Sequence, residues 1–317
     1  MTAHVENRYF TDAELEHLRT RGYIGPITVY EPDEMDRRWK QIRAELLDRT
    51  HACYPDDVAS GLTNIANYDR HLDVDLLSEH IVHPEIAQRA TELIGPDIIC
   101  WRTEFFPKYK GDPGTGWHQA DDFSNTSGVP QLAWPDDDQS GYPQSTLTIW
   151  TAFTDATVTN GCLKVIPGSH LTKYYDESKE MRYHADLISD DDRVSGAKND
   201  FFGYDYRDLQ IDPDWSPPEE EAVPLEMERG QCVIFWEALL HSSLPHTGKA
   251  RDYRMGFATR LVPSFVRVYP GDPEYLEQFG GRVPLDKFGN VLVAGENLCP
   301  ENAMRTHSLR GFEFKPY

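Results

Sequence analysis

The sequence has no apolar run approaching the roughly 18 residues that a helix needs to span a bilayer, so we expect no membrane-spanning helix. Its N-terminus, Met-Thr-Ala-His-Val-Glu-Asn, lacks the apolar core of a signal peptide. Basic residues are few, since 31 lysines and arginines stand against 53 acidic residues and give a net charge of −22. Nucleic acids and anionic membranes are bound by basic surfaces, so we expect neither as a partner. These absences predict a soluble, cytoplasmic protein.

Cysteines are also scarce and widely spaced: Cys53, Cys100, Cys162, Cys232 and Cys299. Their number is odd and no Cys-x-x-Cys pair occurs, so the pattern indicates neither a zinc site nor a disulfide framework. Reduced thiols fit a cytoplasmic location. The 317 residues contain no internal repeat and suffice for one domain with a sizeable core.

The first part of the chain has helical patterns. Thr11-Asp12-Ala13-Glu14 has the form of a capping box, and Gly22 is placed to end the short helix that it opens. A second amphipathic helix is expected after Pro32. A third is expected from about Pro84 to the stop signal at Gly95-Pro96.

From Ile98 onward the pattern changes to short runs rich in β-branched and aromatic residues, separated by turns with glycine and proline. The predicted strands are Ile98–Phe106, Ser145–Thr151, Gly161–Pro167, Cys232–Trp236 and Arg254–Val262. Many short strands after a helical lead-in predict a mainly β fold with flanking N-terminal helices, in the form of a jelly roll or β-sandwich.

We expect a single domain over residues 1–317. Its parts are a helical lead-in at 1–97, a β core at 98–268 and a C-terminal extension at 269–317. Polar insertions at 124–144 and 171–224 interrupt the core. Loops of this length inside a compact domain are commonly functional, so we predict both as lids.

Two of the twelve histidines stand out from the rest. His118 follows a glycine-bearing turn, and His241 follows a strongly apolar predicted strand. Thirteen residues after His241, Arg254 begins a predicted strand on which Arg260 shares its face, because residues an even number apart point the same way. Two arginines facing an interior need anions, and a dicarboxylate would satisfy them.

Two motifs, Gly161–His170 and Gly230–Trp236 with His241 behind it, resemble the phytanoyl-CoA hydroxylase branch of the iron(II)/2-oxoglutarate dioxygenases. The resemblance implies a double-stranded β-helix fold and an iron site of the form His-x-Asp/Glu…His. This chain departs from that form, because Ala120 stands where the carboxylate is expected. Asp121 faces the opposite side of an extended strand, although a bulge would turn it inward, so it stays open as a third ligand.

A second, longer resemblance includes the alanine at position 120. The stretches Asn64–Leu72, Cys100–Tyr109, Trp117–Asp121 and Phe201–Arg207 resemble the non-haem iron(II)/2-oxoglutarate-dependent aliphatic halogenases of nonribosomal peptide pathways, over residues from about 10 to 310. It implies radical chlorination of an unactivated carbon, with succinate and CO2 as co-products. The implied substrate is an amino acid held as a thioester on a phosphopantetheine-bearing carrier protein, and the implied cofactors are iron(II), 2-oxoglutarate, chloride and O2. Replacing a carboxylate by alanine opens one iron position and removes one negative charge, and chloride would restore both.

The resemblance and the spacing assign the site residues by role. The iron ligands are His118 and His241. The 2-oxoglutarate residues are Arg254, assisted by Thr115 and Trp150. The chloride residues are Ala120, Phe123, Asn125, Thr148 and Arg260, of which Ala120, Asn125 and Arg260 are assigned to catalysis. The substrate residues are Glu104, Phe106 and Phe202, with a plain ion pair (Glu104) and core or lid packing (Phe106, Phe202) as alternatives.

Two rival functions stay open from the sequence. One is a hydroxylase of the same fold, with Asp121 as ligand or with water in place of chloride. The other is a jelly roll that binds an anion or metal without turnover.

Overall fold

The computed structural model describes residues 9–54, 68–124, 128–136, 141, 143–181, 205–278 and 281–317. The helices of these residues are α1 (Asp12–Arg21), α2 (Pro32–Glu45), α3 (Asp75–Ile81) and α4 (Pro84–Ile94). The three predicted helices are confirmed as α1, α2 and α4. Thr11 and Glu14 form the capping box of α1, and Gly22 ends that helix with a φ of 88°. The short helix α3 was missed.

The strands follow the same chain order. They are β1 (Tyr23–Thr28), β2 (Ile98–Lys108), β3 (Thr115–His118), β4 (Leu132–Ala133), β5 (Leu147–Ala152), β6 (Leu163–Val165), β7 (Val223–Leu225), β8 (Gln231–Trp236), β9 (His241–Ser243), β10 (Arg254–Pro263), β11 (Arg267–Val268), β12 (Tyr275–Gln278), β13 (Gly281–Pro284) and β14 (Val291–Ala294). All five predicted strands are present as β2, β5, β6, β8 and β10. β1 lies inside the predicted helical lead-in and was not expected.

Two antiparallel sheets make the β core. The larger has six strands in the order β1-β8-β5-β10-β2-β14, and the smaller has four in the order β3-β9-β6-β7. An apolar cluster joins them, with Trp150 of β5, Leu163 of β6, Leu225 of β7 and Phe235 of β8 among its members. The fold is therefore mainly β with packed antiparallel sheets, as predicted.

The helices cover the other face of the larger sheet. Trp39 of α2 packs against Phe105 and Phe153, with ring centroids 6.0 and 5.8 Å apart. These contacts belong to a second and larger apolar cluster. Both faces of the larger sheet are covered, and accordingly β2 and β10 are buried along almost their whole length. No helix in the described residues is long and apolar enough to cross a membrane.

The pairing of the smaller sheet positions the predicted site. β3 pairs with β9 so that His118 lies directly opposite His241. In the larger sheet, Arg260 of β10 lies between Arg102 of β2 and Thr148 of β5. His118 and His241, which are 123 residues apart in the sequence, are thus brought together in the smaller sheet.

Candidate active site

The two predicted iron ligands are neighbours. The ring centroids of His118 and His241 lie 4.0 Å apart. Nδ1 of His118 bonds to the carbonyl oxygen of Gly116 at 2.9 Å, and Nδ1 of His241 bonds to that of Leu239 at 2.8 Å. An Nδ1–H that donates to a carbonyl leaves Nε2 as an unprotonated donor atom, which is the arrangement of metal-binding histidines.

The electrostatics of the pair also suit a metal. Burial, together with the nearby His241, lowers the pKa of His118 to about 3. Burial likewise lowers the pKa of His241. Both rings are therefore neutral at pH 7, which is the form that binds metal. Within the described residues, no three histidine, cysteine, aspartate or glutamate side chains are arranged to hold a metal ion together. Among the described residues, His118 and His241 thus offer two nitrogens suited to a metal ion.

Ala120 lies beside this pair, and Asp121 does not. Ala120 lines the same cavity as both histidines, and its N–H donates to the main-chain oxygen of Glu237 at 3.0 Å. Asp121 instead pairs with Lys173 at 2.7 Å, and it is not among the cavity-lining residues. The interpretation of Asp121 as an inward third ligand is therefore wrong, because its carboxylate is paired with Lys173 and does not line the cavity.

Across the cavity from the two histidines, Arg254 and Trp150 form a site suited to an anion, which we call the anion receptor. Arg254 is 3% exposed, and its guanidinium donates to the carbonyl oxygens of Gly161 and Phe106. Nε of Arg254 and Nε1 of Trp150, both buried, have no hydrogen-bond partner in the described structure. Burial lowers the pKa of Arg254 to about 10, so the group remains a cation at pH 7. Two orphaned donors around a buried cation fit a carboxylate ligand, since unpaired buried donors are costly.

Local backbone geometry makes this receptor possible. A Cβ on Gly256 would lie 1.8 Å from the Trp150 indole, so only glycine lets that ring lie across β10. Thr115 lines the cavity as well, and its hydroxyl is 2.8 Å from the hydroxyl of Ser243. The parity that places Arg254 and Arg260 on one face is confirmed, because both line the cavity together with Ala258.

Arg260 lies in an ion-pair network that was not foreseen. Its Nε donates to Glu237 and its Nη1 to Glu104, each at 3.0 Å. The Thr148 hydroxyl also donates to Glu237. Arg260 and Thr148 were predicted to order a network around chloride, but in the structure both donate hydrogen bonds to the carboxylate of Glu237. The plain ion pair considered for Glu104 is present, and Glu104 also lines the cavity.

Glu237 is the site residue that the sequence reasoning missed. Burial alone would raise the pKa of its carboxyl, but the charge of Arg260, the nearby His241 and the Thr148 hydrogen bond outweigh burial and lower it to about 2. The group is therefore an anion at pH 7. The signal that it offered was a charged residue directly after the apolar run of β8 and four residues before His241.

The turn after Ala120 is fixed by the second insertion. The N–H groups of Asp121, Asp122 and Phe123 all donate to Oε2 of Glu177, at 2.8, 2.9 and 3.0 Å. Phe123 has a φ of 61°, which a non-glycine residue rarely adopts without such support. Its ring lines the cavity, with the Arg260 guanidinium carbon 5.1 Å from its centroid. Glu177 thereby positions one wall of the cavity.

Replacing Glu177 tests that positioning. We expect Glu177→Ala to lower the free energy of unfolding by about 2–3 kcal/mol, because three N–H donors, one buried and two partly buried, lose their acceptor. Urea denaturation measures the change. The neighbouring Asp176→Ala is the control, since this partly exposed carboxylate accepts from the nearby Ser178 and should cost under about 1 kcal/mol. Equal losses for both variants would contradict the assignment.

The other predicted residues divide into two groups. Phe106 lines the cavity, whereas Asn125 and Phe202 lie outside the described residues. Tyr206, from the same insertion as Phe202, stacks on His118 with centroids 4.4 Å apart and an interplanar angle of 12°. The cavity opens to solvent, and residues of both sheets line it.

A comparison with known protein families identifies one that matches most of the chain. The profile of the family described as Phytanoyl-CoA dioxygenase (PhyH) matches residues 18–255. A curated relative, Phytanoyl-CoA dioxygenase domain-containing protein 1 homolog of Dictyostelium discoideum, is 30% identical over 105 residues. That match covers 33% of this chain and 31% of the relative, so the two are aligned over only about a third of their lengths.

Similar solved structures cover nearly the whole chain. CytC3 with Fe(II) and alpha-ketoglutarate is 41% identical, with a TM-score of 0.73 and 97% of both chains covered. The ThoJ-Ni complex, a non-heme monooxygenase, is 20% identical with a TM-score of 0.57, covering 92% of this chain and 86% of the other. At that identity the second likeness shows a shared fold alone.

Proposed function

The chain belongs to the phytanoyl-CoA dioxygenase family, within the iron(II)/2-oxoglutarate-dependent oxygenases, and from this premise we propose that it is a halogenase. Its reaction is the chlorination of an unactivated aliphatic carbon of an amino acid held as a thioester on a carrier protein. Chloride, O2 and 2-oxoglutarate are consumed, and succinate and CO2 are released. The observation that carries the proposal is Ala120, which stands beside two metal-competent histidines where the family pattern has a carboxylate.

Two histidine nitrogens would hold the metal. Nε2 of His118 and Nε2 of His241 would bind iron(II), and the carbonyls of Gly116 and Leu239 fix the tautomers of the two rings. When bound, iron(II) with 2-oxoglutarate and O2 supplies the oxidant that removes a hydrogen atom from the substrate. Tyr206, stacked on His118, excludes water from one side of that ring.

The anion receptor binds the distal carboxylate of 2-oxoglutarate. Arg254 supplies the positive charge and an orphaned Nε–H, and Trp150 supplies a second orphaned N–H. Both donors gain acceptors when the dicarboxylate enters, which removes the cost of leaving them unpaired. Thr115 contributes a hydroxyl on the same wall.

The space beside Ala120 takes the halide. A methyl side chain leaves room where a carboxylate would fill it, and Phe123 gives the space an apolar wall. Relative to a site with a protein carboxylate, the metal would have one more open ligand position and one negative charge fewer. Chloride is an anion of suitable size, and Arg260 lies close enough to favour it.

The substrate and its carrier are proposed from the resemblance and the cavity walls. Glu104 and Phe106 line the cavity and would contact the tethered amino acid, with the Glu104 carboxylate facing its ammonium group. Phe202 retains its proposed substrate role, and Asn125 its role beside chloride. We further propose that the two packed sheets form a double-stranded β-helix, and that the enzyme works in the cytoplasm.

Hydroxylation by the same site is the second candidate, and one observation favours it. Oε2 of Glu237 lies 3.5 Å from Nε2 of His241, so a protein carboxylate stands next to the metal position after all. A carboxylate that occupied the space beside Ala120 would leave the substrate carbon to take oxygen in place of chlorine.

Product mass decides between these functions. The iron-loaded protein is incubated with 2-oxoglutarate, O2, chloride and a carrier-bound aliphatic amino acid. A product with the chlorine isotope doublet is expected. A product heavier by one oxygen atom alone would support the hydroxylase, and the absence of succinate under all conditions would support a binding protein without turnover.

A further inference from the structure

Glu237 follows β8 in the turn that leads to His241, and its side chain is buried, with 1% of the residue exposed. Its Oε2 lies 3.5 Å from Nε2 of His241, the atom left free to bind a metal. Two ligands at right angles, each about 2.1 Å from a metal, are roughly 3 Å apart. The carboxylate therefore lies close to a ligand position without belonging to a three-residue metal cluster in the described chain.

The position of this carboxylate is fixed from several sides. Oε1 accepts from Nε of Arg260 at 3.0 Å and from the Thr148 hydroxyl. The main chain of Glu237 accepts from the N–H of Ala120 at 3.0 Å. The Glu237 carboxylate and the Ala120 methyl group thus belong to residues that are joined through the main chain and line the same cavity.

We propose that Glu237 sets the halide affinity of this site, by competing with chloride for the space beside Ala120 and for the donors of Arg260 and Thr148. This inference rests on the proposed function, because it assumes a halide beside the metal.

The charge balance supports competition. Arg260 is a single cation already paired with two carboxylates, Glu237 and Glu104. Chloride would enter as a further anion beside these two carboxylates, and their repulsion would weaken its binding. Once the Glu237 carboxylate is absent, Nε of Arg260 and the Thr148 hydroxyl become buried donors without an acceptor. Chloride then supplies that acceptor, so its binding tightens.

Halide binding can be measured without substrate or turnover. The visible charge-transfer band of the anaerobic iron(II)·2-oxoglutarate complex is titrated with chloride for the native chain, Glu237→Ala and Glu237→Gln. Glu237→Gln keeps the volume and removes the charge, and it serves if the alanine variant does not fold. Asp73→Asn is the matched control, because it neutralises another buried carboxylate, one that is paired with Arg70 and does not line the cavity.

We expect the Kd for chloride to fall at least about tenfold in Glu237→Ala, and in the same direction in Glu237→Gln. It should change by less than about threefold in Asp73→Asn. An unchanged or raised Kd in both Glu237 variants would overturn the inference, and so would an equal fall in Asp73→Asn.

The outcomes also separate this inference from the proposed function. Native chloride binding as tight as in the variants overturns the inference and leaves chlorination standing. Tightening in the Glu237 variants, with only hydroxylated product from the native chain, upholds the inference and overturns chlorination. Chloride binding in none of the proteins overturns both.

Discussion

The substitution Ala120→Asp is expected to abolish chlorination. An aspartate two residues after His118 restores the carboxylate that the family pattern places on the metal, and it fills the space in which we place chloride. The amount of chlorinated product should fall at least about 100-fold, which corresponds to about 2.7 kcal/mol in the barrier. Mass spectrometry of the carrier-bound product measures the fall, and the chloride dependence of the visible band should vanish with it.

The adjacent residue provides the control for Ala120→Asp. Asp121 pairs with Lys173 and faces away from the cavity, so Asp121→Asn should change chlorination by less than about threefold, as expected for an exposed ion pair. Chlorination that persists in Ala120→Asp at the native rate would show that Ala120 does not face the metal. A loss of equal size in Asp121→Asn would assign the effect to the turn and not to the vacant ligand position.

His241→Ala is expected to remove the metal. Loss of a residue that only hydrogen-bonds a metal ligand commonly weakens metal binding by about 10–100-fold. Loss of one of the two proposed histidine ligands should therefore weaken metal binding by more than about 100-fold. Iron content per chain after dialysis, and the Kd for cobalt(II) as a stand-in, measure this effect.

The exposed His51 is the matched control for His241→Ala. It is not one of the cavity-lining residues, so His51→Ala should bind metal like the native chain. Native iron content in His241→Ala would contradict the placement of the metal between His118 and His241.

Much of the cavity could be predicted from short-range patterns. The period of two in an extended strand placed Arg254 and Arg260 on one face, and both line the cavity. β3 ends at His118, so strand parity does not extend to Ala120 and Asp121, although Ala120 lines the cavity and Asp121 does not. The prediction for Arg254 and Arg260 succeeds because both lie in β10, where a side chain has only two directions to point.

The residues that were missed lack any local pattern. Glu237 is a lone acid in a turn, and its meaning comes from β5 and β10, which bring Thr148 and Arg260 to it. Glu177 and Tyr206 reach the site from a long insertion, so no sequence spacing predicts their contacts. Their roles depend on tertiary contacts that sequence periodicity does not encode.

The elements that were missed have equally physical reasons. β1 contains Gly25-Pro26, two residues that usually mark turns, and it is a strand because it pairs with β8. Helix α3 is only seven residues long, too short to show a helical period. Tertiary pairing overrode local preference in the first case.

Diffraction from crystals that contain iron(II), 2-oxoglutarate and saturating bromide, grown without oxygen, tests the vacant position most directly. Bromide scatters anomalously, so its place is located without reference to any substrate. We predict an iron peak between Nε2 of His118 and Nε2 of His241, with a bromide peak bound to it beside the Ala120 methyl group. An iron peak whose corresponding position is filled by an oxygen of Glu237, with no bromide at any ligand position, would contradict the account.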